Sequence, residues 1–317
     1  MKAKHKKPQK QRPKVFTAKA IRRDWRINRS LYVLAIPMVA YVIIFNYVPM
    51  VWQLMAFQNF KPALGLWGSK WIGLQNFIDF FSGIYFKRVM LNTLTLNMKD
   101  LLISFPLTII TALLLNEVGN RFFKKGVQII SYMPNFVSMV IICGLVTTFC
   151  GESGIVTAVY NFITGSTGSM MNKANLFQGI YIASGIWQGL GFGTILYVAA
   201  LSGIDSQLYD AAKIDGANRL QLTWHVTLPG ISSTVIIMLI MRVGMLMGGS
   251  FEKVILLYNP STMDKADIIA SYVYRKGLLD SDYGYSTAVG LFNSVINLIL
   301  VVAANQVSKK FSESSLF

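Results

Sequence analysis

The residues of this 317-residue sequence best placed for a specific task form one polar stretch: Asp210, Ala211, Ala212, Asp215 and Gly216, then Val226, Leu228 and Pro229. Asp205 is placed to cap a short helix from Ser206 to about Asp215, its carboxylate accepting from the orphan amides of the first turn. Gly216 suits the left-handed residue that ends such a helix. A second helix reads from Ala217 to about Val226, with Leu220, Trp224 and Leu228 four apart on one face. Pro229 falls where the next apolar segment begins, the helical position that tolerates a missing N–H. A helix, a sharp turn and a helix between two long apolar runs make a loop at a membrane surface, shaped to receive a partner rather than to break a bond.

Bond-breaking chemistry has little to work with elsewhere. No Ser-His-Asp, paired-carboxylate or Cys-His arrangement is visible. The two histidines, His5 and His225, have no ligand spacing for a metal. Cys143 and Cys150 share one apolar run, and seven residues of helix put them about 10 Å apart, beyond disulfide reach. There is no Gly-x-x-x-x-Gly-Lys-Ser/Thr loop, so neither ATP nor any other cofactor is expected on this chain. The run Gly189-Leu190-Gly191-Phe192-Gly193 lies inside an apolar segment without a lysine beside it, and reads as small residues that let helices approach closely.

The elements that must position the loop are membrane spans. Hydrophobic residues make up 53% of the chain and charged residues only 14%, and the charges cluster between apolar runs. Six apolar segments have about the length a bilayer requires: Leu31–Leu54, Leu91–Leu115, Val127–Phe149, Gln178–Ala200, Gly230–Gly249 and Ser286–Asn305. The fold class expected is an all-α integral membrane protein. The expected organisation is a basic tail over 1–30, a six-span domain over 31–307 with its polar loop at 203–229, and a short tail over 308–317. Lys99 and Asp100 interrupt the second segment, so either that span starts later or these charges face protein or water.

The net charge of +16 does not point to nucleic acid, because residues 1–30 alone hold twelve Lys and Arg against the single acid Asp24. A basic tail before a span is an anchor on the cytoplasmic, anionic-lipid side. It is too long for a signal peptide, and no small-residue cleavage site follows the first apolar run. Counting Lys and Arg in alternate connections gives nineteen on the side of both termini and the 203–229 loop, against nine on the other. Without the first thirty residues the count is seven against nine, so the N-terminal cluster carries the charge-based orientation. Both termini and the loop are expected in the cytoplasm.

The loop resembles the EAA loop of the membrane subunits of binding-protein-dependent ABC importers: Glu-Ala-Ala, three residues, Gly, nine residues, then Ile-x-Leu-Pro. Asp210 stands for the Glu and Val226 for the Ile, while Ala211, Ala212, Gly216, Leu228 and Pro229 match. The run Asp215-Gly216-Ala217 is typical of the carbohydrate branch. Ser69 to Phe77 resembles the Val-Gly-Leu-x-Asn-Phe signature of sugar permeases, and Asn92-Thr93-Leu94 their Asn-Thr-Leu. Ile186 to Phe192, leading to Ala200 to Asp205, is similar as well. Tyr272 to Leu278 and Ala288 to Phe292 resemble the lipoprotein-dependent polysaccharide and complex-oligosaccharide permeases.

The resemblance implies a type I importer fold of six transmembrane helices in a bacterial plasma membrane. It implies pairing with a second, homologous permease, with two ATP-binding cassette subunits that hold MgATP, and with an extracellular sugar-binding lipoprotein. Asp210, Ala211, Ala212, Asp215, Gly216, Leu228 and Pro229 are then the ATPase-coupling residues, Asp210 facing a basic residue of the ATPase. The alternatives are a stand-alone secondary transporter or channel, for which no inverted repeat is visible, and an importer permease for a non-sugar solute.

Sugars are bound by aromatic faces with amides and hydroxyls, which apolar spans otherwise avoid. Tyr181, Trp187 and Gln188 on the fourth segment, Arg242 on the fifth, and Asn293 and Asn297 on the sixth are the substrate-path candidates. The same residues also suit structural roles: Trp and Tyr as interfacial anchors, Asn as glue between helices, Arg242 as a snorkelling or paired cation.

Overall fold

In the computed structural model, which describes residues 18–249 and 251–311, the six apolar segments are helical. The basic stretch before residue 18 and the tail beyond 311 lie outside the described residues. Four helices are long and apolar enough to cross a membrane unbroken, and two bent pairs bring the number to six when each pair is taken as one span.

The chain divides into two units, Met1–Leu54 and Met55–Phe317. Most of α1 (Asp24–Phe57) belongs to the first. Its helix already begins at Ala18, inside the stretch read as a tail. A π-turn at Ile43–Tyr47 precedes Pro49, and the Val48 amide reaches back five residues to the Ile43 carbonyl. The cause is local: the proline has no N–H, and its ring crowds the preceding turn.

The second unit opens with a hairpin, β1 (Gln58–Asn59) antiparallel to β2 (Lys70–Trp71), in which Gln58 faces Trp71. Phe57 stacks on Trp71 at 5.7 Å between centroids, and Asn76 Nδ2 donates to the Ala56 carbonyl at 2.9 Å. After α2 (Gln75–Ser82) comes α3 (Phe86–Glu117), unbroken through Pro106 and through Lys99 and Asp100. The second span therefore does not start later. Its charges are solvated by polar partners: Lys99 Nζ donates to Gln178 Oε1 at 2.7 Å, and Asp100 Oδ1 accepts from Ser104 Oγ at 2.7 Å.

The third apolar segment is not a straight span. It divides into α4 (Arg121–Phe136) and α5 (Met139–Cys150), bent by 99°. Pro134 opens a 3₁₀ turn, Val137 is extended, and Ser138 starts the new helix with its hydroxyl on the Ile141 amide. A short apolar helix α6 (Ile155–Thr164) follows, then α7 (Ala174–Ser202), which packs along α3. The glycine run on α7 does what small residues do at crossings: a Cβ on Gly191 would lie 2.3 Å from the Ser131 carbonyl oxygen of α4.

The loop supplies α8 (Ser206–Ile214) and α9 (Arg219–Gly230), and a 63° bend leads into α10 (Ser232–Val243). The fifth span thus ends as a helix at Val243, six residues short of the expected Gly249. The turn beyond it is held by facing helices: Asn97 Nδ2 donates to the Leu246 carbonyl at 2.7 Å, and Asn297 Oδ1 accepts the Met247 amide at 3.0 Å. Next come α11 (Phe251–Leu257) and α12 (Ile269–Tyr274), the latter continuing as a π-turn over Arg275–Leu279, and then α13 (Tyr283–Phe311).

Asp267, its side chain fully buried, ties α3 to α12 and to the π-turn that continues it. Its Oδ2 accepts from Arg275 at 2.6 Å and from Arg88 of α3 at 3.3 Å, and its Oδ1 from Ser271 of α12 at 2.8 Å. Beside it, Phe80, Val89, Met247, Ile269, Tyr272 and Val289 form one apolar core.

Candidate functional site

Two constellations emerge: an exposed helical loop at the Ser202 end of α7, and a polar cavity beside its Tyr181 and Gln188. In the loop, Asp205 caps α8 by accepting from the Gln207 amide at 3.0 Å, as its position in the sequence predicts. Gly216 has φ +82°, with its amide on the Lys213 carbonyl at 3.0 Å and the Ala217 amide on the Ala212 carbonyl at 2.9 Å. That bonding pattern is a Schellman turn, and it requires a left-handed residue where Gly216 stands.

The second helix starts at Arg219, two residues later than the sequence suggests. Asn218 caps it through a reciprocal capping box, its Oδ1 taking the Gln221 amide at 2.9 Å and Gln221 Oε1 taking the Asn218 amide at 2.8 Å. The pairing Asn218-x-x-Gln221 is the signal that places this start. Pro229 does not open the transmembrane part. It lies within α9, preceded by a π-turn at Thr223–Thr227 in which the Leu228 amide bonds the Thr223 carbonyl. The transmembrane part begins after the bend, at Ser232.

Tyr209 Oη and Thr227 Oγ1, 3.1 Å apart, link α8 to α9. A Cβ on Gly230 would lie 2.8 Å from Ile204 Cδ1, so the root of the loop is closely packed. Its outer surface is not. Asp210 is exposed, with Lys213 as a weak neighbour at 3.4 Å. Ile214 is 87% exposed, and Leu208, Leu220 and Trp224 are exposed large apolar side chains on the same two helices. Ala212, Asp215, Gly216, Gln221 and His225 line an open cleft between them.

The cavity is built where α3, α7, α10 and α11 meet. Two adjoining polar hollows, of about 180 and 370 Å³, share Asp100, Tyr181 and Arg242. Gln188 lines the first hollow and donates through Nε2 to the Val137 carbonyl at 3.4 Å. Lys253 is 3% exposed; its Nζ donates to the Tyr181 carbonyl at 2.7 Å and lies 4.5 Å from the centre of the Tyr181 ring. No ion pair joins Asp100 to Arg242 or Lys253 among the described residues.

Three of the sequence candidates, Tyr181, Gln188 and Arg242, are therefore brought together. Trp187, half exposed, lies instead on an apolar groove with Leu145, Phe149 and Ile180. Asn297 holds the Met247 amide, and neither Asn293 nor Asn297 lines the hollows. Sequence reasoning missed Lys253, whose signal is a cation, next to Glu252, at the head of the apolar run Val254-Ile255-Leu256-Leu257. It noticed Asp100 only as an interruption.

An apolar bundle with a polar central cavity and an exposed helix-glycine-helix loop has known counterparts. The model of the family described as binding-protein-dependent transport system inner membrane component matches residues 104–313. The chain belongs to that family. It is an ABC importer permease, which sets aside the stand-alone secondary transporter or channel. The permease is 42% identical over 299 residues to protein LplB of Bacillus subtilis, covering 94% of this chain and 93% of that one. It is 40% identical to the polygalacturonan/rhamnogalacturonan transport system permease protein YteP of the same species, over 92% of this chain and 91% of that one. Among solved structures it resembles a chain of a bacterial ABC transporter that imports the acidic polysaccharide alginate. The TM-score is 0.85 at 38% identity, over 92% of this chain and 98% of the other. A second match, also at TM-score 0.85 and 38% identity, covers 94% of this chain and 99% of the other. That structure holds the alginate transporter in complex with an alginate pentasaccharide-bound periplasmic protein.

Proposed function

We propose that this permease is the transmembrane subunit of an importer that takes up an oligosaccharide or glycan handed over by an external binding lipoprotein. ATP hydrolysis belongs to two separate cassette subunits, which hold MgATP, and a second, similar permease completes the pathway. The observation that carries this reading is the loop. Its root is fixed by Gly230 against Ile204 and by Tyr209 with Thr227, while Asp210, Ile214, Leu220 and Trp224 are left facing outward. A rigid lever with an uncovered apolar and acidic tip is what a membrane protein needs to be driven from outside the bilayer.

In this reading Asp210, Ala211, Ala212, Asp215 and Gly216 enter a cleft on the ATPase, with Asp210 against a basic side chain. Leu228 and Pro229 pass the motion to α10 across the 63° bend. Both termini and the loop are cytoplasmic, and the β1–β2 hairpin faces outward. Tyr181, Gln188 and Arg242, with Asp100 and Lys253, line the sugar's path.

The relatives support a glycan as cargo: YteP is named for polygalacturonan and rhamnogalacturonan, and the solved transporter for alginate. The test is reconstitution of the permease in vesicles with its partner permease, its ATPase and its lipoprotein. ATP hydrolysis should require the ATPase and rise when the lipoprotein is loaded with oligosaccharide. Hydrolysis by the purified permease alone, lost on mutation of this chain, would overturn the division of labour.

A further inference from the structure

We propose that the cavity around Arg242 selects oligosaccharides that carry carboxylates, with Arg242 as the residue that receives the carboxylate; this rests on the glycan-importer reading above. Three charged side chains line the two hollows: Asp100, Arg242 and Lys253. The cavity therefore carries an excess of positive charge. Asp100, which accepts from Ser104 at 2.7 Å and lies outside ion-pair distance of either cation among the described residues, offsets one of the two positive charges and leaves the other.

The two cations are not equivalent. Lys253 is buried, satisfied by the Tyr181 carbonyl and the Tyr181 ring. It is held at the wall, and Gly185 leaves room for it: a Cβ there would lie 3.0 Å from Nζ. Arg242 is exposed to both hollows and has no hydrogen-bond or ion-pair partner among the described residues. An uncompensated guanidinium on a transmembrane helix is costly and faces a water-filled space or an arriving anion. Its planar fork matches a carboxylate in two parallel hydrogen bonds, a geometry that an uncharged sugar hydroxyl cannot reproduce.

A neutral oligosaccharide needs only aromatic faces, amides and hydroxyls, none of them charged. The excess charge is therefore informative about cargo. Asp100 has the opposite effect, repelling a uronate and limiting how tightly the cavity holds a substrate that must also leave.

The experiment uses the complete transporter in vesicles, with its lipoprotein. Uptake is compared for a galacturonate trisaccharide and for the same trisaccharide with its carboxyl groups reduced to alcohols. Because the lipoprotein is unchanged throughout, a change in the acidic-to-neutral ratio between permease variants belongs to the permease. Arg242→Gln should lower the ratio of acidic to neutral uptake about tenfold, the scale of one charged hydrogen-bonding contact, and Arg242→Lys should partly restore it. Asp100→Asn, which keeps the shape and the Ser104 contact, should shift the ratio the other way. It decides the matter if Arg242→Gln fails to assemble. A ratio unmoved by both variants, or a wild-type transporter that carries the neutral sugar as well as the acidic one, overturns the inference while leaving the importer reading intact. Uptake of neither sugar, with no stimulation of ATP hydrolysis by either, would count against the glycan reading itself. Loss of transport of both sugars alike in Arg242→Gln would place Arg242 against an acid of the partner permease instead, and would also overturn the inference.

Discussion

Asn297 Oδ1 accepts the backbone amide of Met247 at 3.0 Å, so a side chain from α13 closes the end of the fifth crossing. Met247 is fully buried, and among the described residues no other group is bonded to this amide. Asn293, four residues earlier on the same helix face, has its Oδ1 buried without a partner among the described residues. Two residues of one type at one spacing thus differ in consequence. Asn297→Leu should lower the melting temperature of the detergent-solubilised protein, since leaving the buried amide unmet costs about 1–3 kcal/mol. Asn293→Leu should leave it unchanged or raise it. Equal losses in the two variants would refute the assignment.

Asp267 is the second point where one side chain holds several elements. Two guanidinium groups, Arg88 and Arg275, converge on its Oδ2. Asp267→Ala would leave both partly buried cations unpaired, and breaking a buried pair from one side costs about 3–5 kcal/mol. The expected outcome is poor yield or a sharply lowered melting temperature, with the double variant Asp267→Ala/Arg88→Met recovering part of the loss. Unchanged stability of the single variant would show that water replaces the carboxylate.

These contacts mark the boundary of what could be read in the sequence. The six apolar segments were legible because bilayer thickness fixes their length, and the loop because Asp205 and Gly216 each act on the backbone within a few residues of themselves, although the equally local pairing of Asn218 with Gln221 starts the second helix two residues beyond the expected Ala217. The bends were not legible. Pro134 and Pro229 signal a break, but whether a helix absorbs it with a π-turn, as before Pro229, or turns by 99°, as between Phe136 and Met139, depends on what packs around it. The cavity was half legible. Tyr181, Gln188 and Arg242 are unusual residues for a span, whereas Lys253 joins them through a turn after Val243 that depends on Asn97 and Asn297 from distant helices. The misplacement of Trp187 has the same origin. It neighbours Gln188 in sequence, but adjacent residues on a helix point about 100° apart.

Gly191 tests the packing of α7 on α4. Its missing Cβ would fall 2.3 Å from the carbonyl oxygen of Ser131, a backbone atom that cannot rotate away. Gly191→Ala should therefore disrupt assembly of the bundle, seen as aggregation in size-exclusion chromatography. Gly189→Ala, where a Cβ meets nothing within 4 Å, should be tolerated. A well-behaved Gly191→Ala protein would mean that α4 is free to shift.

Gly216 gives the cleanest separation of folding from coupling. At φ +82° it lies in a region that a β-branched residue occupies poorly, and its Cβ position is empty space, so a substitution meets no neighbour. The penalty of Gly216→Val is then purely conformational, about 1–2 kcal/mol. It is most easily relieved by ending α8 elsewhere and losing the bonds from Gly216 to Lys213 and from Ala217 to Ala212. The spans do not share this cost, because lipid burial and helix packing hold them without the turn. What changes is the direction in which Asp210 and Ile214 point. Gly216→Val should therefore keep a normal melting temperature while copurifying less ATPase, or hydrolysing ATP without uptake. Gly216→Asn, whose side chain tolerates the left-handed region, should behave close to wild type. Uptake, substrate-stimulated hydrolysis and ATPase copurification measured together decide it, and normal values for all three in Gly216→Val would remove the coupling role from this loop.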